Sequence, residues 1–274
     1  MTIKHQPNAL ARLGRRSFLK LVGLAAVGAG LSGCTRRSVS YRYKLTLSLN
    51  TPDGVKTGSV VNEYGRSEVF DPLNGWINPP FHRGQALFVE MGAGRKPLIA
   101  TLADRCQKRD YPFCLGEDGV DDTWRWWPDG LLRWRAGYRR STDPDDFDAI
   151  PKWKAEHAHF DLVPKDLPEL VTFDDINDAT TLRLVDPFHP EQVLGPGISW
   201  NAMTVDVVDE PLSTGIETKL PLLVKLKEIQ KHKQGGIHLD GSEYGYGMAS
   251  GKASLTNQFG PWQFETSWSV GNGN

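Results

Sequence analysis

No stretch of this sequence is apolar for long enough to cross a bilayer as a helix; the one that invites the comparison, Leu21 to Gly33, is too short and too rich in glycine. Cysteine is scarce, three in 274 residues, which excludes a disulfide-dense scaffold and a four-thiolate zinc site. The Gly-x-Ser-x-Gly elbow, the His-Glu-x-x-His helix, the dinucleotide fingerprint and the phosphate loop are all absent, so no standard catalytic frame is announced. Acidic residues are missing from residues 1–33, which carry five Lys and Arg. That last absence marks a leader.

What is present in the leader is Gly14-Arg15-Arg16-Ser17-Phe18-Leu19-Lys20, followed by the mildly apolar run. Paired arginines ahead of Phe18 and Leu19 resemble a twin-arginine export signal, which hands folded proteins across the membrane; the competing reading is an amphipathic helix that stays attached. Directly after the run, Leu31-Ser32-Gly33-Cys34 resembles a bacterial lipobox. Small residues beside the cut let a peptidase reach the backbone, and the Cys34 thiol becomes the nucleophile for a diacylglyceryl thioether. Acyl chains such as palmitate contribute about 0.8 kcal/mol per buried methylene, and two or more suffice for stable anchoring. A buried structural cysteine is the alternative. Thr35 follows Cys34, and with no Asp there to hold the chain at an inner membrane, the outer membrane is favoured. The expected organisation is a signal peptide over 1–33, a lipidated tether over 34–40, and one envelope domain over 41–274, facing the periplasm.

Without the leader, 27 of the 32 basic residues remain against 33 acidic ones, a net charge of −6. Nucleic acid is therefore an unsuitable partner, since phosphate binding needs a concentrated basic surface. Hydrophobic residues at 39% and charged residues at 24% match an ordinary globular domain. Cys106 and Cys114 form an even pair at short spacing in an oxidising compartment; a disulfide there would stabilise by roughly 2–3 kcal/mol.

Pattern then indicates a mainly β fold, antiparallel and sandwich-like, with one late helix. Tyr41 to Leu49 alternates apolar and polar residues at period two. Thr51-Pro52-Asp53-Gly54 turns it into a second strand, Gly58 to Tyr64. Ala86–Met91 and Pro97–Leu102 flank a glycine-containing turn. Pro168 leads a strand ending at Phe173, and Asp174–Asp178 reads as an Asx-capped turn more than as a calcium loop, lacking the glycine and distant glutamate of an EF-hand. Met203–Val208 alternates again, and Leu220–His232 holds Leu222, Leu223, Leu226 and Ile229 at helical spacing. Ser141–Ala149, acidic and interrupted by proline, reads as a loop.

Two clusters carry possible chemistry. Trp124, Trp126, Trp127 and Trp134 flank a Pro-Asp-Gly turn; exposed, they would form an aromatic platform for a glycan or an envelope protein, and buried, they would be core. His157, His159 and Asp161 would project to one side of a strand and could present two imidazoles and a carboxylate to zinc, as in a metal-dependent hydrolase. The His-x-His-x-Asp hydrolase motif continues with histidine, whereas Leu162 follows here. His189, His232 or His238 would have to complete such a shell. A polar strand edge is the plainer reading.

Thr51-Pro52-Asp53-Gly54-Val55-Lys56-Thr57-Gly58-Ser59, the run Lys165–Phe173 with Asp174–Asp178, Val185-Asp186-Pro187, Leu194-Gly195-Pro196-Gly197 and Asp209–Glu217 resemble a group of proteobacterial envelope lipoproteins without an assigned activity. The resemblance spans most of the mature chain. It implies compartment and domain integrity and brings no catalytic residue. The sequence alone thus favours a lipid-anchored envelope protein with a noncatalytic binding or structural role and no cofactor, with the zinc hydrolase as the alternative.

Overall fold

A computed structural model describes residues 35–92, 94–103, 127, 146–232, 239, 261 and 264–265. Arg15, Arg16, Phe18, Leu19 and Cys34 lie outside them, as do Cys106, Cys114, Trp124, Trp126, Trp134 and His238.

The fold is mainly antiparallel β. Strand β1 (Thr35–Thr51) and strand β2 (Gly54–Asp71) meet at the Pro52–Asp53 turn, where Thr51 Oγ1 donates to the Gly54 carbonyl and accepts from the Asp53 amide. Both strands are longer than their alternation suggests, and residues 35–40, expected as a tether, are already strand. Strand β3 (Gly75–Ile77) pairs with the far end of β2, and β4 (Pro80–Arg83) pairs with its middle. Then come β5 (Leu87–Val89) and β6 (Leu98–Ala100), the second expected hairpin.

Helix α1 (Asp146–Glu156) follows where the sequence reads as a loop. Phe147, Ala149, Ile150 and Trp153 are buried along one side of it, and this packing outweighs the loss of one backbone hydrogen bond at Pro151. Next are β7 (His159–Asp161), β8 (Leu170–Phe173), β9 (Leu182–Leu184), a short helix α2 (Glu191–Leu194) and β10 (Ser199–Val208). The late helix, α3 (Pro221–Gln230), begins on proline at its first turn. Among the described residues, two further α-helices accordingly accompany the one expected.

Two compact units divide the chain. The larger one takes its described residues from 38–66 and from 80 onward; residues 35–37 and 67–79 belong to the smaller. Within the larger unit, one sheet runs β2-β1-β10-β7 with β4 beside β2, and a second, four-stranded sheet runs β5-β6-β8-β9. Leu45 and Leu47 of β1 and Val205 of β10 share one core with Leu87 and Val89 of β5 and Leu98 of β6. The other face of the four-stranded sheet, with Ile99, Val171 and Phe173, packs against Leu222, Leu223 and Leu226 of α3. Covered on both faces, β6 and β8 are buried at every position. In the smaller unit, Val69, Phe70 and Asp71 stand opposite Ile77, Trp76 and Gly75 in the β2–β3 hairpin.

Candidate functional site

Polar and aromatic groups gather at three places in the larger unit, and each is built by strand register. The first is inside. Tyr43, fully buried on β1, sets its hydroxyl 2.7 Å from His82 Nε2 on β4. Asn62 on β2 donates to that hydroxyl at 3.4 Å and to the Gln85 carbonyl at 3.1 Å, while its own carbonyl oxygen accepts from the Gln85 amide at 2.9 Å. Burial pushes the Tyr43 phenol up and the His82 imidazolium down to about 3, so both groups are neutral near pH 7. His82 is half-buried as a residue, but its Nδ1 is shut off from solvent, and the enclosed nitrogen is what governs its charge.

Trp127 belongs to this cluster. It is 4% exposed, its ring stands edge-on to Tyr43 at 5.6 Å, and its Nε1 donates to the Asp166 carbonyl at 2.8 Å. Trp127 is therefore an interior group and cannot serve in an exposed platform. Tyr41 continues the aromatic packing, 6.1 Å from Tyr43 and 5.7 Å from Trp153 of α1.

The second place is the β7–β10 edge. The reading of His157, His159 and Asp161 as three alternate positions of one strand fails at its first member. The amides of His157 and Ala158 reach back to the carbonyls of Lys154 and Trp153, which closes α1 with a Schellman turn. His157 takes the left-handed position of that turn, φ 45°, and strand geometry begins at His159. His159 and Asp206 are directly opposed across the two strands. Nδ1 of His159 lies 2.5 Å from Asp206 Oδ1, and Nε2 lies 3.5 Å from Asp161 Oδ1. The hydrogen bond with Asp206 raises the His159 pKa above its ordinary value, and the charges of both carboxylates add to that effect. Both ring nitrogens of His159 thus face carboxylate oxygens of this chain, an arrangement that favours its protonated form. His189 meets Glu191 at 3.5 Å on another element. Among the described residues, no group of three or more His, Cys, Asp or Glu is arranged to hold a metal.

The third place is an open groove of about 570 Å³ between the start of β1, helix α1 and the end of β10. Val39, Ile150, Pro151 and Ala155 supply apolar lining; Ser38, Ser40, Lys154 and Asp209 supply polar groups. Ser40 is spoken for by Glu63, to which it donates at 2.7 Å. Arg42 holds the backbone beside the groove by donating to the carbonyls of Asp209 and Glu210 at 3.3 and 3.2 Å.

The acidic run Asp174–Asp178 forms an Asx-capped turn. Asp175 accepts from the Asn177 amide and Asp178 from the Thr180 amide, each at 2.9 Å. Asp174 is gripped by Lys96 and Arg183, which hold its carboxyl below the usual carboxylate range. Its charge is consumed in joining the β5–β6 turn to β9.

Sequence reasoning missed the Tyr43–His82–Asn62 cluster and the groove. Neither carries a local signal, since their members are tens of residues apart and become neighbours only through strand register. The β2–β3 hairpin had a signal: Asp71-Pro72-Leu73-Asn74-Gly75 is turn chemistry between Phe70 and Trp76. Comparison of the chain with models of known protein families, with curated proteins and with solved structures finds no match in any of the three.

Proposed function

We propose that the chain is a lipid-anchored cell-envelope protein, exported through its twin-arginine leader, held by acyl chains on Cys34, and acting as a noncatalytic binding or structural module. The anchoring reading rests on the order of leader, apolar run and Leu31-Ser32-Gly33-Cys34. The observation that supports the noncatalytic reading is the pairing of His159. Its two ring nitrogens face Asp206 and Asp161, so the central histidine of the hydrolase alternative is engaged with carboxylates of its own sheet. The groove lined by Val39, Ile150, Lys154 and Asp209 supplies a surface for a small envelope ligand or a chain segment.

The test starts from the exported protein. Its intact mass should match a chain beginning at Cys34 with acyl groups attached, and Arg15→Lys combined with Arg16→Lys should keep the leader on. Elemental analysis should find no stoichiometric metal. A mature chain without acyl mass would remove the anchor from the reading. Stoichiometric zinc that disappears in His157→Ala with His159→Ala would replace the binding module with the hydrolase.

A further inference from the structure

The β2–β3 hairpin presents large apolar side chains to water. Phe70 is 51% exposed, Trp76 49% and Leu73 94%. Phe70 and Trp76 are a direct cross-strand pair, with rings 5.6 Å apart at 68°, and Leu73 occupies the turn between them. The turn is held firmly. Asp71 Oδ1 accepts from the amides of Leu73 and Asn74 at 2.7 and 2.8 Å and from the Asn74 side chain at 3.2 Å, and Gly75 takes φ 77°, which a side chain would resist. Leu73 is thereby fixed outward. The one carboxylate at this tip already has three donors, which lessens the cost of moving it out of bulk water.

Trp, Phe and Leu on a small, pre-ordered projection suit the boundary between lipid headgroups and acyl chains, where an aromatic ring can be half apolar and half wet. What covers the tip is indicated by its neighbourhood. Arg37 pairs with Glu68 at 3.4 Å, two residues before Phe70. Cys34 precedes Arg37 by three residues, so chain length alone keeps it within about 11 Å of Arg37. Acyl chains on Cys34 would bring a leaflet surface to the strand that bears the tip. Exposed Val55, Val163 and Phe188, by contrast, sit singly on separate segments.

We propose that Phe70, Leu73 and Trp76 form a second, noncovalent membrane contact, entering the headgroup region of the same leaflet that holds the lipid on Cys34. The proposal rests on the anchoring reading above. With two attachment points this hairpin is oriented on the membrane, whereas a single lipid leaves it free to turn.

The experiment uses the acylated full-length product in vesicles of phosphatidylethanolamine and phosphatidylglycerol, doped with a phospholipid that carries a diazirine on its acyl chain. After irradiation, mass spectrometry reads which tryptic peptides carry lipid. Arg66 and Arg83 delimit one peptide that contains the whole tip. This peptide should be labelled in the wild type and fall to background when Phe70, Leu73 and Trp76 are all changed to Ser, with acyl mass and thermal midpoint unchanged. If the triple variant does not fold, Leu73→Ser alone, at a side chain almost wholly in water, should still weaken the labelling. Labelling no stronger than that of α3, where Val224 and Ile229 are also exposed, would overturn the contact. Should the mass show no acyl group, the anchoring reading fails separately. The free chain is then added to the same vesicles: labelling of the tip peptide would sustain the contact on its own, and none would end it.

Discussion

His82 and His159 titrate in opposite directions, and the cause in each case is what the ring nitrogens face. His159 lies on an exposed edge between two carboxylates, and its pKa is raised. Its ion pairs stabilise the fold fully below the ordinary histidine value of 6.5 and fade as pH rises through the raised one; exposure and solvent screening keep this small. His82 is enclosed beside Tyr43, and burial carries its pKa down to about 3. Between pH 6.5 and 3 the unfolded chain takes up a proton that folded His82 refuses, so stability is full above 6.5 and is lost as pH falls. The thermal midpoint of the wild type should therefore drop on acidification from pH 6.5 to 5, above the range where carboxylates titrate. In His82→Asn, which can still hydrogen-bond the Tyr43 hydroxyl, that drop should shrink. Parallel curves for the two proteins would show that His82 does not carry the effect.

Among the elements, β1 was the most legible and α1 the least. Tyr41, Tyr43, Leu45, Leu47 and Leu49 are buried because a strand with one face on the core needs apolar residues at every second place. Helix α1 contains Asp146, Asp148 and Pro151, all poor interior helix formers, and it exists because Ala149, Ile150 and Trp153 enter the shared core. Packing overrides propensity there, and a local pattern carries no record of it. Strand β2 holds a further constraint at Gly65, opposite Phe81 of β4. A Cβ at that position would run into the Phe81 ring and stand 2.5 Å from the Val39 carbonyl oxygen. Gly65→Ala should destabilise the protein by about 1–3 kcal/mol, the usual cost of forced overpacking. Urea unfolding should show this as a lower midpoint with an unchanged slope; an unaltered midpoint would mean that β1 and β4 yield without strain.

Over the whole molecule, the four-stranded sheet is the organising layer, since β1 and β10 share a core with one of its faces and α3 covers the other. The chain's late residues contribute to the second of these cores. Phe264 is 1% exposed, lies 6.3 Å from Phe173, and accepts a hydrogen bond from the Ala86 amide at 2.8 Å. Beside it, Lys227 of α3 bridges Glu217 and Glu265. Phe264→Ala should cost about 3–5 kcal/mol, as for other buried aromatics. Hydrogen exchange should then quicken most in α3 and β8. Exchange confined to the segment around Phe264 would show that this segment is an accessory to the core and not a part of it.

Local chemistry sufficed for the class of the fold, for the alternation of β1 and β10, for the first turn and for the late helix, because period, proline placement and turn residues act within a few positions of one another. The expected address also lies in local text, at Arg15, Arg16 and Cys34. Tertiary structure alone decided that Trp127 is interior, that His157 follows a helix while His159 meets Asp206, that burial keeps Tyr43 and His82 neutral, and that Phe70 and Trp76 stand paired in water. Each of these depends on which residue a strand places opposite, and register is set by the whole core and not by any window of sequence.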